Sequence, residues 1–393
     1  MPLRYLTAGE SHGPVLTAIL EGFPSGLGIP VEIIEAQLAR RRRGYGAGPR
    51  MRIESDRIRI LGGVLAGAST GAPVAIQIEN DDHKQWAGKE IPAFTKPRPG
   101  HADLTAAIKY NYRDIRFSLE RASARETAAR VAVGAICREL LAHFGITIGG
   151  YVRSIGEISA DLENLSLIER SEIAEQNDVR VPDLEAVQRI RERIEAVIKE
   201  GDTLGGIIEV FALGLPVGLG SHVHWDRRLD ARLGAAVLSV QAIKGFEIGS
   251  AFENSRRRGT EVHDAIRREG DELIRPTNRA GGIEGGITNG APLVMCAAMK
   301  PIATTLTPQE TVDLLSGEEV PTKYERSDFC PVPRAVPILE AVVAFELADA
   351  LIEKLGGDSI EEMGTRFANL RRARLSEMQM GGTPLVFWPE EDR

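Results

Sequence analysis

Apolar positions recur at helical spacing in four stretches of the chain. Between Ala124 and Gly145, Val131, Cys137, Leu140, Leu141 and Phe144 fall near one helical face, and Gly145 ends the element. Leu184, Val187, Ile190, Ile194, Val197 and Ile198 make a second stripe, stopped by Gly201. Leu229–Ile243 and Ile338–Leu355 read the same way, the latter closed by Gly356 and Gly357. A period of two marks strands: Val74, Ile76 and Ile78 alternate with Ala75 and Gln77, and Arg57–Leu61, Ile207–Leu213 and Pro292–Met299 are further candidates. There is no fixed-period repeat and no low-complexity linker. Helices and short strands alternating over the whole length predict one intertwined α/β unit across residues 1–393. Segment 155–200 is more charged and poorer in glycine than its flanks, and reads as peripheral.

Hydrophobic residues are 43% and charged residues 26% of the 393, which excludes a disordered chain. Cys137, Cys296 and Cys330 are too few and too scattered for a disulfide framework or a cysteine zinc site, and fit a reducing compartment. The start, MPLRYLTAGESHG, lacks the apolar run of a signal peptide. The longest apolar stretch, Ala335–Ile352, is broken by Glu340, Glu346 and Asp349, so no membrane span is expected and the cytoplasm is the expected location. Net charge is −8, whereas a general nucleic-acid binder is normally basic. The positive charge is instead focused, at Arg40, Arg41, Arg42, Arg43, Arg50 and Arg52 and again at Arg256, Arg257 and Arg258. A local cationic field inside an acidic protein suits a small anionic ligand.

Familiar nucleotide and metal signatures are missing. No GxxxxGK[ST] phosphate loop occurs, Gly44, Gly46 and Gly48 lack a strand-to-helix context, and no HExxH helix is present. Gly-x-Ser-x-Gly appears at Gly9–Gly13 and Gly67–Gly71, each without the strand-to-helix elbow of a serine hydrolase. Two histidine loops carry more chemistry. Glycines flank Glu10-Ser11-His12 and let a tight turn present an imidazole, a group able to move protons near neutrality. In Lys96-Pro97-Arg98-Pro99-Gly100-His101-Ala102-Asp103 the prolines stiffen a segment where Arg98 and His101 can share one anion. Asp103 either orients the imidazole or caps the following helix. The first loop alone also reads as a turn with a surface histidine.

Arg40–Arg43 end a helix and run into a glycine-rich loop, a solvated face or a ligand lid of guanidinium forks. Arg121 and Arg125, like Ser123 and Thr127, sit one helical turn apart with small alanines between them, which lets a ring or phosphate approach the backbone. His222 and His224 alternate as on a strand edge, and without a third ligand they make no metal site.

Together GESHG, ARRRRGYG, PRPGHAD, ERASARETAARVAVGA, GDTLGG, GLPVGLGS, QAIKG, TNRAGGIEGGITNG, MKPIAT and ERSD, in this order, closely resemble the chorismate synthase family, from Arg4 to about Gly357. The resemblance implies a β-α-β sandwich of mixed α/β (α+β) class, usually a homotetramer. It implies anti-1,4-elimination of phosphate from 5-enolpyruvylshikimate 3-phosphate to give chorismate, the last shikimate-pathway step toward aromatic amino acids. Reduced FMN is needed although no net redox change occurs. Two carboxylates and a phosphate on one small molecule need several fixed guanidinium groups, supplied in the family's motifs by Arg41, Arg50 and Arg98.

By the same resemblance His12 protonates the reduced flavin, His101 assists the departing phosphate, and Asp328 helps remove the proton. Flavin contacts map onto Arg121, Ala122 and Ser123, onto Gln241 and Ala242, onto Gly285, onto Lys300, Pro301, Ile302, Ala303 and Thr304, and onto Arg326. The family commonly has arginine where Ala47 stands, a gap that Arg43 or Arg52 would have to fill. NADPH enters only as a source of flavin reduction; the long insertions of bifunctional fungal-type members are missing, which implies FMN reduced elsewhere. Two other readings remain: a non-catalytic binder of RNA or phosphorylated metabolites, opposed by the negative charge and the 5% aromatic content, and a flavin oxidoreductase performing net hydride transfer.

Overall fold

Alternating apolar positions build two antiparallel sheets, and helices apolar on every side lie between them. The computed structural model describes residues 2–48, 56–325, 327–385 and 387. The first sheet consists of β1 (Arg4–Ala8), β2 (Val15–Glu21), β3 (Ile58–Gly62) and β4 (Val74–Glu79), in spatial order β1-β2-β4-β3. The second consists of β5 (Thr147–Ile155), β6 (Ile158–Ser159), β7 (Gly206–Leu213), β8 (Ile243–Ile248) and β9 (Leu293–Met299), in order β8-β9-β7-β5-β6. Every neighbouring pair in both sheets is antiparallel, so the mixed class is α+β rather than a βαβ-wound parallel sheet.

The principal helices are α1 (Val31–Arg42), α2 (Asp103–Tyr110), α3 (Arg116–Ala122), α4 (Thr127–His143), α5 (Leu167–Glu175), α6 (Leu184–Glu200), α7 (Leu229–Leu238) and α8 (Val332–Leu355). α4 packs on β2 and β4 of one sheet, α8 packs on β5 and β7 of the other, and the two helices pack on each other. This is a β-α-β sandwich. α4 and α8 are buried on nearly all sides, which is why both read as broadly apolar. Their backbones meet at Gly134, where a Cβ would fall 2.4 Å from Cβ of Ala341.

Several expectations need correction. α8 begins six residues before Ile338, even though Pro333 and Pro337 lie within it. Pro333 sits in the first turn, where an N–H is not needed. The missing N–H of Pro337 orphans the carbonyl of Pro333, which Arg180 satisfies at 2.5 Å. α7 stops at Leu238 because Ser239 turns back onto the Ala236 carbonyl (2.6 Å) and Ala242 takes a positive φ of 68°. Ile243 then opens β8.

Segment 155–200 is not an appendage. Val179, Val181, Ile190, Ile194 and Val197 join the main apolar core, and buried Arg180 also bonds the carbonyls of Arg40 and Arg43. His222 and His224 lie in an exposed loop before Trp225–Arg227, not on a strand.

Two arginines of the run are held by carboxylates instead of lining a ligand site. Arg40 pairs with Glu340 and Glu175, both at 2.6 Å, and Arg43 pairs with Glu175 at 2.9 Å. Burial works to raise the carboxyl of Glu340, but the charges of Arg40 and Arg138 outweigh it and hold the group below its usual range.

Candidate active site

The loop after β1, the start of α2, the α3–α4 junction, the turn before β8, the chain beyond β9 and the first turns of α8 converge on a cavity of about 480 Å³. Both histidine loops reach it, bringing His12 and His101 into one space.

Gly9 turns the first loop at φ +111°, where a Cβ would lie 2.5 Å from the Val15 carbonyl. Asn80 then clamps the loop by donating to the carbonyls of Ser11 (3.0 Å) and Gly13 (2.7 Å). The His12 ring lies against Trp86, centroid to centroid 4.2 Å. Its Nδ1 is 2.6 Å from Oε1 of Glu120, and its main-chain N–H donates to Oε2 of the same carboxylate at 2.8 Å. Burial opposes ionisation of Glu120, but the hydrogen bonds and charge from His12 prevail and set its carboxyl below the ordinary value. Oδ2 of buried Asp82 lies 3.8 Å from Nε2 of His12.

The second loop is organised by one buried carboxylate. Asp103 accepts from the main-chain N–H (3.0 Å), Nε (2.7 Å) and Nη2 (3.0 Å) of Arg98 and lies 2.6 Å from Nδ1 of His101. It makes no helix cap, so of its two sequence readings the orienting one holds. Burial would raise its carboxyl; His101 and Arg98 reverse the sign and hold it well below the usual carboxylate range. Arg98 also reaches Thr304 (3.3 Å), and Lys300 donates to the Gly100 carbonyl at 2.7 Å.

A cationic wall completes the cavity. Arg41 is 1% exposed, with Nε donating to Thr127 (2.9 Å) and Nη2 to the Ala124 carbonyl (3.0 Å). Arg125, also buried, is ion-paired with Asp56. Asp328 faces the same space, with Oδ1 taking the Gly48 N–H at 2.7 Å and Oδ2 paired with Arg334.

Ala122, Ser123, Gln241 and Ala242 line the cavity, as do Ile302, Ala303 and Thr304. Three expected contacts fall elsewhere. Arg121 is exposed and donates to the carbonyls of Thr7 (3.0 Å) and Gly9 (3.2 Å), bracing the first histidine loop from outside. It does not share a helix with Arg125, because the chain breaks at Ser123, whose hydroxyl caps the next turn. Pro301 points away into solvent, and Gly285 sits in a hairpin beside the opposite end of α7. Ten helical residues, about 15 Å, separate that hairpin from the cavity end of α7. Arg50, Arg52 and Arg326 lie outside the described residues. Arg43, committed to Glu175, does not fill the gap at Ala47.

Sequence reasoning missed Glu120, Trp86 and Arg334, and placed Arg125 on the wrong element. Glu120 is 108 positions from His12 in the chain, a pairing no local spacing reveals. Among the described residues no cluster of side chains is arranged to hold a metal ion, and no helix is long and apolar enough to cross a membrane.

Residues 3–352 match the family model described as chorismate synthase. The chain is 51% identical over 370 residues to the chorismate synthase of Syntrophotalea carbinolica, covering 92% of this chain and 96% of that one. It is 50% identical over 383 residues to the chorismate synthase of Aquifex aeolicus, covering 93% and 96%. A crystal structure of chorismate synthase matches with a TM-score of 0.78 at 44% identity, covering 94% of this chain and 97% of the other. The chain belongs to the chorismate synthase family and is a carbon–oxygen lyase.

Proposed function

We propose that this chain eliminates phosphate from 5-enolpyruvylshikimate 3-phosphate in the anti-1,4 sense, giving chorismate as the last shikimate-pathway step, with reduced FMN that is not consumed. One observation carries the reading. Buried Arg41, Arg98 and Arg125 face, within one cavity, two histidines each braced by a carboxylate. Such a wall suits a small substrate with two carboxylates and a phosphate, because guanidinium forks meet these groups bidentately.

The residues present fit a flavin. Ala122, Ala124, Ala242 and Ala303 bring small side chains to the wall, leaving room for a planar ring. Oε1 of Gln241 is a buried acceptor with no hydrogen-bond partner among the described residues, as a ring N–H would require. Lys300 adds a cation for a phosphate end. Bound there, reduced FMN supplies electron density that eases C–O cleavage and is then recovered.

The chain's own groups handle charge and protons. Nδ1 of His101 lies 2.6 Å from Asp103, and Nη2 of Arg98 is 3.3 Å from its Nε2. As the imidazolium, His101 gives its Nε2 proton to the departing phosphate oxygen while Arg98 offsets the phosphate charge. Asp328, its orientation fixed by Gly48 and Arg334, is the acceptor for the ring proton lost from the opposite face. His12, whose Nδ1 is held by Glu120, would exchange a proton through Nε2 with a reduced flavin bound in the cavity. The active form is a cytoplasmic homotetramer supplied with FMN reduced elsewhere, and NADPH serves only that reduction.

The test is an anaerobic assay with 5-enolpyruvylshikimate 3-phosphate and chemically reduced FMN, following chorismate and phosphate together. Equal release over many turnovers per flavin is expected. Stoichiometric flavin oxidation would favour net hydride transfer instead, and absence of turnover with substrate bound would overturn the assignment. Light scattering checks the tetramer.

A further inference from the structure

We infer that Glu120 is the positioning residue of His12, fixing both the direction of its ring and the nitrogen that carries its resident proton. Glu120 stands in the last turn of α3, far in sequence from the GESHG loop, yet its carboxylate grips His12 twice. Oε2 takes the main-chain N–H at 2.8 Å and Oε1 meets Nδ1 at 2.6 Å, so loop and side chain are held by one rigid fork. An ionised carboxylate only accepts, and its lowered carboxyl keeps Glu120 ionised, so Nδ1 must bear hydrogen. The neutral ring therefore has Nε2 bare. Trp86 lies against the ring, and Oδ2 of Asp82 stays beyond hydrogen-bond distance of Nε2 at 3.8 Å. Nε2 is thus the nitrogen left to exchange a proton with whatever occupies the cavity. The carboxylate of Asp103 likewise meets Nδ1 of His101 at 2.6 Å, but there Nη2 of Arg98 also stands 3.0 Å from Nδ1 and 3.3 Å from Nε2.

The role of His12 toward a bound flavin rests on the function proposed above; the tautomer does not. It is read by ¹⁵N NMR of the imidazoles in flavin-free protein, with His12 assigned among the seven histidines by its loss in His12→Ala. The neutral ring should show a protonated Nδ1 and a bare Nε2. Glu120→Gln places an amide N–H₂ or a neutral oxygen against Nδ1, and should shift His12 toward the Nε2–H form. Glu120→Asp keeps the charge and should restore the native tautomer in part. With reduced FMN, Glu120→Gln should lower kcat by roughly 10²-fold, as expected when a proton-transfer imidazole takes the wrong tautomer, with substrate KM within about twofold. An unchanged tautomer in Glu120→Gln, or unchanged kcat alongside an altered tautomer, overturns the positioning role. Full turnover by His12→Ala would instead remove the role of His12 and leave the tautomer result standing.

Discussion

Replacing Asp103 with asparagine tests the clamp on which the second histidine loop depends. Asp103 is fully buried, and its two oxygens share four contacts. Asparagine can keep its oxygen toward the main-chain N–H and Nε of Arg98, but its N–H₂ then faces Nη2 of Arg98 and Nδ1 of His101. Two charge-assisted contacts are lost at about 1.5–3 kcal/mol each, moderated because Arg98 can turn toward the cavity. A net loss of about 3 kcal/mol follows. With an unfolding entropy of about 2.1 cal/mol/K per residue over 393 residues, that lowers Tm by about 4 °C. Turnover should fall further, by roughly 10²-fold or more, because His101 loses the acceptor that fixes its tautomer. The assays are a thermal melt and anaerobic chorismate formation, run on Asp103→Asn, His101→Ala and the double variant. Since Asp103 acts partly through His101 and partly through Arg98, the asparagine should cost less turnover in the alanine background than alone, the remainder reporting on Arg98. Full additivity, or Asp103→Asn within twofold of the parent, would refute the reasoning.

Other perturbations probe separate parts of the molecule. Asp328→Asn should slow turnover about 10²-fold while FMN affinity, read by fluorescence titration, changes less than threefold; loss of FMN binding would make the residue structural. Gly134→Ala forces a methyl group to 2.4 Å from Ala341 across the α4–α8 contact and should cost about 3 kcal/mol or more in urea melts. Glu175 is opposed by burial, yet Arg40 and Arg180 pull it down to about 2 from 4.5. A lowered carboxyl stabilises the fold above its unfolded value, and that contribution disappears as pH falls from 4.5 toward 2. Glu175→Gln should therefore be less stable than the parent at pH 7 and should lose less stability over that acid range.

The elements legible in the sequence were those whose pattern is local. β4 alternates cleanly, and α6 runs from its Asp183 cap to Gly201 as its stripe predicts. The start of α8 was hidden by Pro337, because nothing nearby announces that Arg180 will take the orphaned carbonyl. The end of α7 was hidden by a turn that depends on one serine hydroxyl and a positive φ at alanine. The site divides in the same way. His12 and His101 stood out through their glycine and proline neighbours, and the family resemblance supplied roles for them. Arg40 and Arg43 looked like Arg41 in the sequence, and only the positions of Glu340 and Glu175 decide which of them faces the cavity. Glu120 carries no signal at all on its own helix.

The N-terminal strands are finished by the far end of the chain. The N–H of Leu3 donates to Asp349 of α8 at 2.7 Å, and Ser25 exchanges main-chain hydrogen bonds with Asp358 and Ile360. α4, which covers the first sheet, is itself covered by α8. A ribosome adding roughly 5–20 residues per second needs about 10–40 s to go from His143, the end of α4, to Leu355, so for that interval the nascent chain displays an apolar layer without its cover. Synthesis of this enzyme therefore exposes more sticky surface, for longer, than a chain assembled from successive domains. Its yield in a cell should depend on how well chaperones shelter the nascent α4 face until the last long helix arrives.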